Sequence, residues 1–216
     1  MNAFQIKWLA IITMIIDHLG LFFFPQIFWL RIIGRLSFPL FAWLIANGAY
    51  HTHDIKNYLL RLYIVALLSQ IPYLLANKLI NPAYNELNVL CTLFFGLAAI
   101  YCIQTKNVKI GMIGTALCII AAQLLNTDYA GFGVALVVVC YLFFQNFGKL
   151  FFAQIFVFFL QFLFFERNLG GIVEMCGLVS LIFISIYNNQ PGPRTKYLFY
   201  LFYPLQYVVY YALLLL

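Results

Sequence analysis

The chain has 216 residues, of which 65% are hydrophobic, 19% aromatic and only 8% charged, with a formal net charge of +6. A soluble domain cannot be built from that balance, and the lack of alternating segments of ~10 residues argues against a transmembrane β-barrel. The apolar residues run in stretches of roughly 16–22, the length a helix needs to cross about 30 Å of hydrocarbon. The expected fold is therefore all-α, a polytopic transmembrane helical bundle.

In chain order, the runs and the breaks between them place nine spanning helices at about 4–24, 27–48, 57–76, 88–104, 109–126, 130–145, 148–165, 170–187 and 197–215. The first is too long in its apolar region for a removable signal peptide, and no small-x-small cleavage site follows it. Ser69, Gln70 and Pro72 are read as closing the third span, where a broken turn needs polar partners. The Phe-rich stretch "FFAQIFVFFLQFLFF" (151–165) reads as a lipid-facing helix. No linker, tail or internal repeat divides residues 1–216, so a single integral-membrane domain is expected.

Lys and Arg are retained on the cytoplasmic side of a membrane. With the N-terminus inside, Lys7, Lys56, Arg61, Lys106, Lys109, Lys149, Arg194 and Lys196 flank the cytoplasmic ends, against only Lys78 and Arg167 outside. The positive charge is thus a topology signal and a contact for anionic lipid, with no sign of nucleic-acid binding. Cys91, Cys102, Cys118, Cys140 and Cys176 lie scattered in apolar helices without C-x-x-C spacing, as small buried hydrophobes would. His51 and His53 of "HTHD" lack a second pair of ligands, so no metal site is expected. Phosphate-loop and nucleophile-elbow patterns are absent.

What the chain does contain is ionisable side chains at membrane depth. An Asp or Arg at the centre of a spanning helix costs about 2.5–3.5 kcal/mol on insertion scales, so it usually faces the bundle interior beside a partner. The first hairpin turns at "FPQ" (24–26), and counting from it at about 1.5 Å per residue puts Arg31, His18, Asp17 and Arg35 roughly 9, 10, 12 and 15 Å deep. Thr13, Asp17 and Gly20 form a small, polar stripe facing the arginines. An Asp17–arginine pair that merely pins the hairpin is the plain reading. Two cations for one carboxylate instead leave positive charge over, which favours an anion-binding or catalytic site in which arginine holds an oxyanion and histidine passes protons. Asn88, Asp128, Tyr129 and Glu174 start or end their helices on the same outer side and can line that cavity, although Asn88 and Asp128 also suit helix caps.

The blocks "KWLAIITMIIDHLG" (7–20), "IIGRLSFPLFAWLIANG" (32–48), "YLLRLYIVALLSQIPY" (58–73), "DYAGFGVALVVVCYLF" (128–143) and "IYNNQPGPRTKYLFYLFYP" (186–204) resemble, in order and over almost the whole chain, those of the TraX family. That resemblance implies a multi-pass protein of the bacterial inner membrane, linked through the family's founding member to N-terminal acetylation of pilin. The family is grouped with membrane acyltransferases that draw on acetyl-CoA. It implies His18 as the catalytic residue, supported by Asp17 and Arg35; beside it, Arg31, Asn88 and Asp128 from the depth reading and Tyr203 and Gln206 of the FYP block are expected as substrate or CoA contacts. Family members often carry a histidine two residues after the FYP block. Gln206 stands there in this chain, and glutamine cannot carry a proton through neutral pH. The expected function is acetyl transfer from acetyl-CoA to an amine of a pilin-like protein or a hydroxyl of an envelope glycan, with no metal. The alternatives are a transporter or binding protein for an anionic solute and a pilus-assembly scaffold, which would need no buried charges. Under this topology the donor is cytoplasmic whereas the charged layer sits in the outer half. Either the pantetheine arm threads the bundle or transfer is completed across the membrane.

Overall fold

The computed structural model describes residues 1–105, 107–164, 169–193 and 196–216, and it is helical throughout, with no strand among the described residues. Lys106, Arg167 and Arg194, three of the charges used for orientation, lie outside the described residues. Counting the two broken rods once each, the described residues form nine helical rods. Four are long and apolar enough to cross a membrane: Ala3–Phe22, Phe28–His51, Ile55–Ile80 and Phe147–Phe164. The chain groups into two compact units, one of residues 1–51 and 135–194, the other of residues 52–134 and 195–216.

In the first unit, α1 (Ala3–Phe22) starts at a reciprocal cap in which Asn2 and Gln5 exchange side-chain bonds to each other's backbone N–H groups, both 2.9 Å. The second rod is interrupted between α2 (Phe28–Gly34) and α3 (Ser37–His51). Pro39 suits the start of α3, because a proline has no N–H to return to the carbonyl of Arg35 and loses no helical bond in a first turn. The helices α2 and α3 both pack on α1.

The second unit begins with α4 (Ile55–Ile80), capped by Asp54, whose carboxylate takes the Asn57 N–H at 3.0 Å. Here the reading of Pro72 as a terminator is corrected, since α4 continues through it for two further turns. Ser69 turns its hydroxyl onto the Val65 carbonyl (2.6 Å), one turn back along the helix. Against α4 pack α5 (Val89–Ile103) and α11 (Lys196–Leu214), and α6 (Val108–Leu124) pairs with α5. The chain passes between units within α7 (Ala130–Leu142).

The first unit is completed by α8 (Phe147–Phe164), α9 (Leu169–Met175), a 3-10 turn over Cys176–Val179 and α10 (Ser180–Ser185). The Phe-rich α8 is not lipid-facing all round: Phe152, Phe156 and Phe164 are exposed, but Leu150, Gln154, Val157 and Phe158 are buried, one face at helical spacing. Of the five cysteines, all free, Cys140 is fully buried and the others are partly exposed.

Candidate functional site

The layer of charges expected in the first hairpin is present in the first unit. Arg31, on the last turn of α2, donates from Nη1 to Asp17 Oδ2 at 2.7 Å and to the Asp17 carbonyl at 3.1 Å. Arg35, at the break between α2 and α3, stands 3.3 Å from Asp17 Oδ1 through Nη2. Its Nη1 donates to Glu174 Oε1 at 2.6 Å. The side chains of Arg35, Asp17 and Glu174 are only 10%, 15% and 16% exposed, and Arg31 27%. His18 is half-buried, its ring 6.2 Å from that of Phe22 and within electrostatic reach of both guanidinium groups. Thr13 directs its hydroxyl to the Leu9 and Ala10 carbonyls, so it spends its polarity within α1.

Glu174 changes the charge arithmetic on which the anion site was expected. Two arginines now face two carboxylates, and the layer is balanced rather than cationic. Glu174 was placed near the cavity by its depth alone; its pairing with Arg35 spans 139 residues of sequence. Within the cluster Arg35 is paired with both carboxylates and Arg31 with Asp17, which orients the two guanidinium groups near His18.

Gly34 lets the network close. A Cβ at that position would overlap the Cβ and carboxylate of Asp17. Gly34→Ala should therefore displace Asp17 from Arg31 and destabilise the protein by about 1–3 kcal/mol, the usual cost of overpacking. Thermal unfolding of the detergent-solubilised variant measures it, and an unchanged melting temperature would refute the close approach.

The other expected site residues, Asn88, Asp128, Tyr203 and Gln206, belong to the second unit. Asn88 caps α5 through the Leu90 N–H (3.0 Å) and donates to the Ala66 carbonyl (2.8 Å) and to Gln70 Oε1 (2.7 Å), so both its cap role and a tie to α4 are realised. Asp128 lies in a turn whose backbone is unusual: Asn126, Tyr129 and Ala130 have φ of 49°, 63° and 44°. Only Asn adopts that region with ease, so Tyr129 and Ala130 hold strain. The turn is tied to residues 86–88 by the Leu87 N–H to the Asn126 carbonyl (3.0 Å) and the Asp128 N–H to the Leu87 carbonyl (2.8 Å). Thr92 donates to the Asp128 carbonyl.

Around Asp128 gather the expected Tyr203 and three tyrosines that the sequence reading did not single out, Tyr73, Tyr84 and Tyr207. Tyr73 and Tyr84 share a 2.5 Å hydroxyl contact, and Tyr84 donates to Glu86 Oε2 at 2.9 Å. Tyr203 and Tyr207 on α11 are buried, and the Tyr73 and Tyr207 rings meet edge to face at 5.1 Å. Burial raises the pKa of the Tyr84 phenol, in the loop before α5, and the nearby Asp128 carboxylate adds to the shift. Gln206 is buried too, at 6% exposure. The signal available in advance was Tyr73 at the end of the "SQIPY" block, where Ser69, Gln70 and Tyr73 put polar atoms into an otherwise apolar half of the helix. Among the described residues no group of three or more His, Cys, Asp or Glu is gathered as for a metal.

A model of the TraX protein family matches residues 3–214. The chain belongs to the TraX family. It is 27% identical, over 94% of its length and 91% of the relative's, to the "Probable fimbrial assembly protein FimC, serogroup H1" of Dichelobacter nodosus. A shorter likeness, 35% identical over 35% of this chain and 32% of the other, joins it to "Uncharacterized protein RP591" of Rickettsia prowazekii (strain Madrid E). No solved structure matches significantly. For this TraX chain the family match takes in both the charged layer of the first unit and the tyrosine-rich group of the second. Its FYP block brings Pro204 into α11 without ending the helix, and Tyr203 and Gln206 on either side of that proline are both buried.

Proposed function

We propose that this TraX protein is a membrane acetyltransferase of the bacterial inner membrane, its nine rods crossing the bilayer with the N-terminus cytoplasmic. It would transfer acetyl from acetyl-CoA to an amine, such as a pilin-like N-terminus, or to a hydroxyl of an envelope glycan. The observation that carries this reading is His18 held in a membrane helix beside two arginines oriented by Asp17 and Glu174. In that role His18 takes the proton of the acceptor as the nucleophile adds to the thioester carbonyl. The C–S bond then breaks, and the proton passes to the departing CoA sulfur. The edge of Arg31 or Arg35 stabilises the oxyanion. The name of the Dichelobacter relative supports a pilus context for the acceptor.

The balanced charge layer removes the surplus cation on which both the transporter alternative and the anion-stabilising site drew, and leaves the acetyltransferase reading resting on His18 and the oriented arginines. A second reading, a pilus-assembly factor without catalysis, is favoured by the relative's name. Acetyl-CoA separates the two. At 100 times its Kd a ligand that binds only the folded state stabilises it by about 2.7 kcal/mol, so CoA and acetyl-CoA should raise the melting temperature of the purified protein. An assembly factor would ignore both, and a flat response would reject the acetyltransferase.

The orientation has its own check. Single cysteines placed at His53 and Asn189 in a cysteine-free background should be labelled only from the cytoplasmic side of right-side-out and inverted vesicles. Labelling of both from the outside would invert the topology.

A further inference from the structure

The first unit contains a cavity of about 570 Å³ at the end where α1 begins. Its wall is aromatic: Phe144 stacks on Tyr50 (4.7 Å) and on Trp43 (5.7 Å), and Tyr187 meets Trp43 edge-on at 4.7 Å. The segment after α10 that lines it also clasps the chain start, through the Asn188 N–H to the Met1 carbonyl (2.9 Å) and the Ala3 N–H to the Gln190 carbonyl (2.8 Å). Leu150 of α8 and Ile184 of α10 line it as well.

Three helices lead from this cavity to the charged layer. One turn from Leu150 on the same face of α8 is Gln154, and one turn from Ile184 on α10 is Ser180. Both are 0% exposed, and Gln154 Oε1 and Ser180 Oγ make no hydrogen bond. A buried polar atom left unsatisfied costs about 1–3 kcal/mol, so two of them between apolar helices need a cause. A turn further along, the helices converge. A Cβ at Gly177 would stand 3.0–3.1 Å from the Phe158 ring, the Arg35 carbonyl and the Pro39 ring. Arg35 is eight residues, roughly 12 Å of helix, from Trp43. Cavity, orphaned polar pair and charged layer thus follow one line.

We infer that this line is the donor site: the cavity takes the adenosine end of acyl-CoA, and Gln154 with Ser180 receives the amide groups of its pantetheine arm, pointing the thioester at Arg35 and His18. The inference rests on the acetyltransferase reading. A flat heterocycle suits an aromatic wall. Lys149 and the first turn of α8 place positive charge beside the cavity for the phosphates. An extended arm with two amides is the part of CoA that can supply an N–H to Gln154 Oε1 and a partner to Ser180 Oγ inside an otherwise apolar passage. It also reconciles a cytoplasmic donor with a charged layer in the outer half of the hairpin.

The test uses the full-length protein in detergent, with thermal shifts titrated against acetyl-CoA, CoA and 3′,5′-ADP, the last lacking the arm. Without ligand, Ser180→Ala removes only an orphaned atom and should melt no lower than wild type; Gln154→Leu also gives up the 3.2 Å bond from Nε2 to Cys140 Sγ, a weak acceptor, and should melt near wild type. Each should weaken CoA and acetyl-CoA about 3- to 10-fold, the worth of one neutral hydrogen bond, and leave 3′,5′-ADP unaffected. Phe144→Ala should weaken all three. If wild type responds to CoA and both polar variants respond with its affinity, the passage is wrong, the orphaned atoms are satisfied by buried water, and the acetyltransferase reading survives. If wild type ignores CoA and acetyl-CoA, both fall together. The two polar variants sit on different helices, so a folding failure in one leaves the other decisive.

Discussion

His18→Gln should lower acetyl transfer to the true acceptor by about 10²–10⁴-fold, the span of a lost general base. Glutamine keeps the reach and the hydrogen bonding of the imidazole but cannot accept a proton at neutral pH. The charged layer does not depend on His18, because Asp17, Arg31, Arg35 and Glu174 pair with one another. The variant should therefore melt near the wild-type temperature and keep its CoA-induced shift. Loss of turnover with retained CoA binding assigns the histidine to chemistry. Wild-type turnover in His18→Gln would make it a structural residue and remove the mechanism. Gln206, standing where the family often has histidine, bears on the same question. Gln206→His should leave turnover within a few-fold of wild type if His18 alone moves the proton.

The helical rods were legible because their signal is local: apolar runs of membrane length, broken where Asn, Pro and Lys cluster. Asn88 marks the start of α5 by the short-range physics of capping and caps as its position suggests. Pro72 misled because a proline in a membrane helix removes a single bond, to the Leu68 carbonyl, and neighbouring helices hold the rod together around it. Asp17, Arg31 and Arg35 could be gathered from the sequence since one tight turn fixes their depth. Glu174 could be given a depth but not a partner, since no periodicity links α9 to the break after Gly34. That missing partner turned a balanced lattice into an apparent cationic site. Gln154 was hidden by its surroundings, a polar residue in a run of phenylalanines whose lipid-facing members outnumber the buried ones. Tyr73, Tyr84 and Tyr207 come from three separate segments, and nothing in their spacing signals that they share one group with Asp128.

Arg35→Ala should be the most destabilising change in the charged layer, by about 3–5 kcal/mol, because removing one partner of a buried pair strands the charge that remains. Here the stranded charge is Glu174, which loses Arg35, while Asp17 keeps Arg31. The second-site changes that restore stability follow from the geometry. Glu174→Gln in the Arg35→Ala background removes the stranded carboxylate and leaves the 2.7 Å Arg31–Asp17 pair intact, so the layer is again neutral. Asp17→Asn in the same background also sums to zero, yet it breaks the 2.7 Å Arg31–Asp17 pair without restoring an arginine to Glu174, and so should rescue less. A layer held only by Asp17 and its two arginines, with Glu174 incidental, demands the reverse order. Melting temperatures of Arg35→Ala and its two double variants in one detergent decide between them. Rescue by Asp17→Asn that equals or exceeds rescue by Glu174→Gln would refute the four-member lattice.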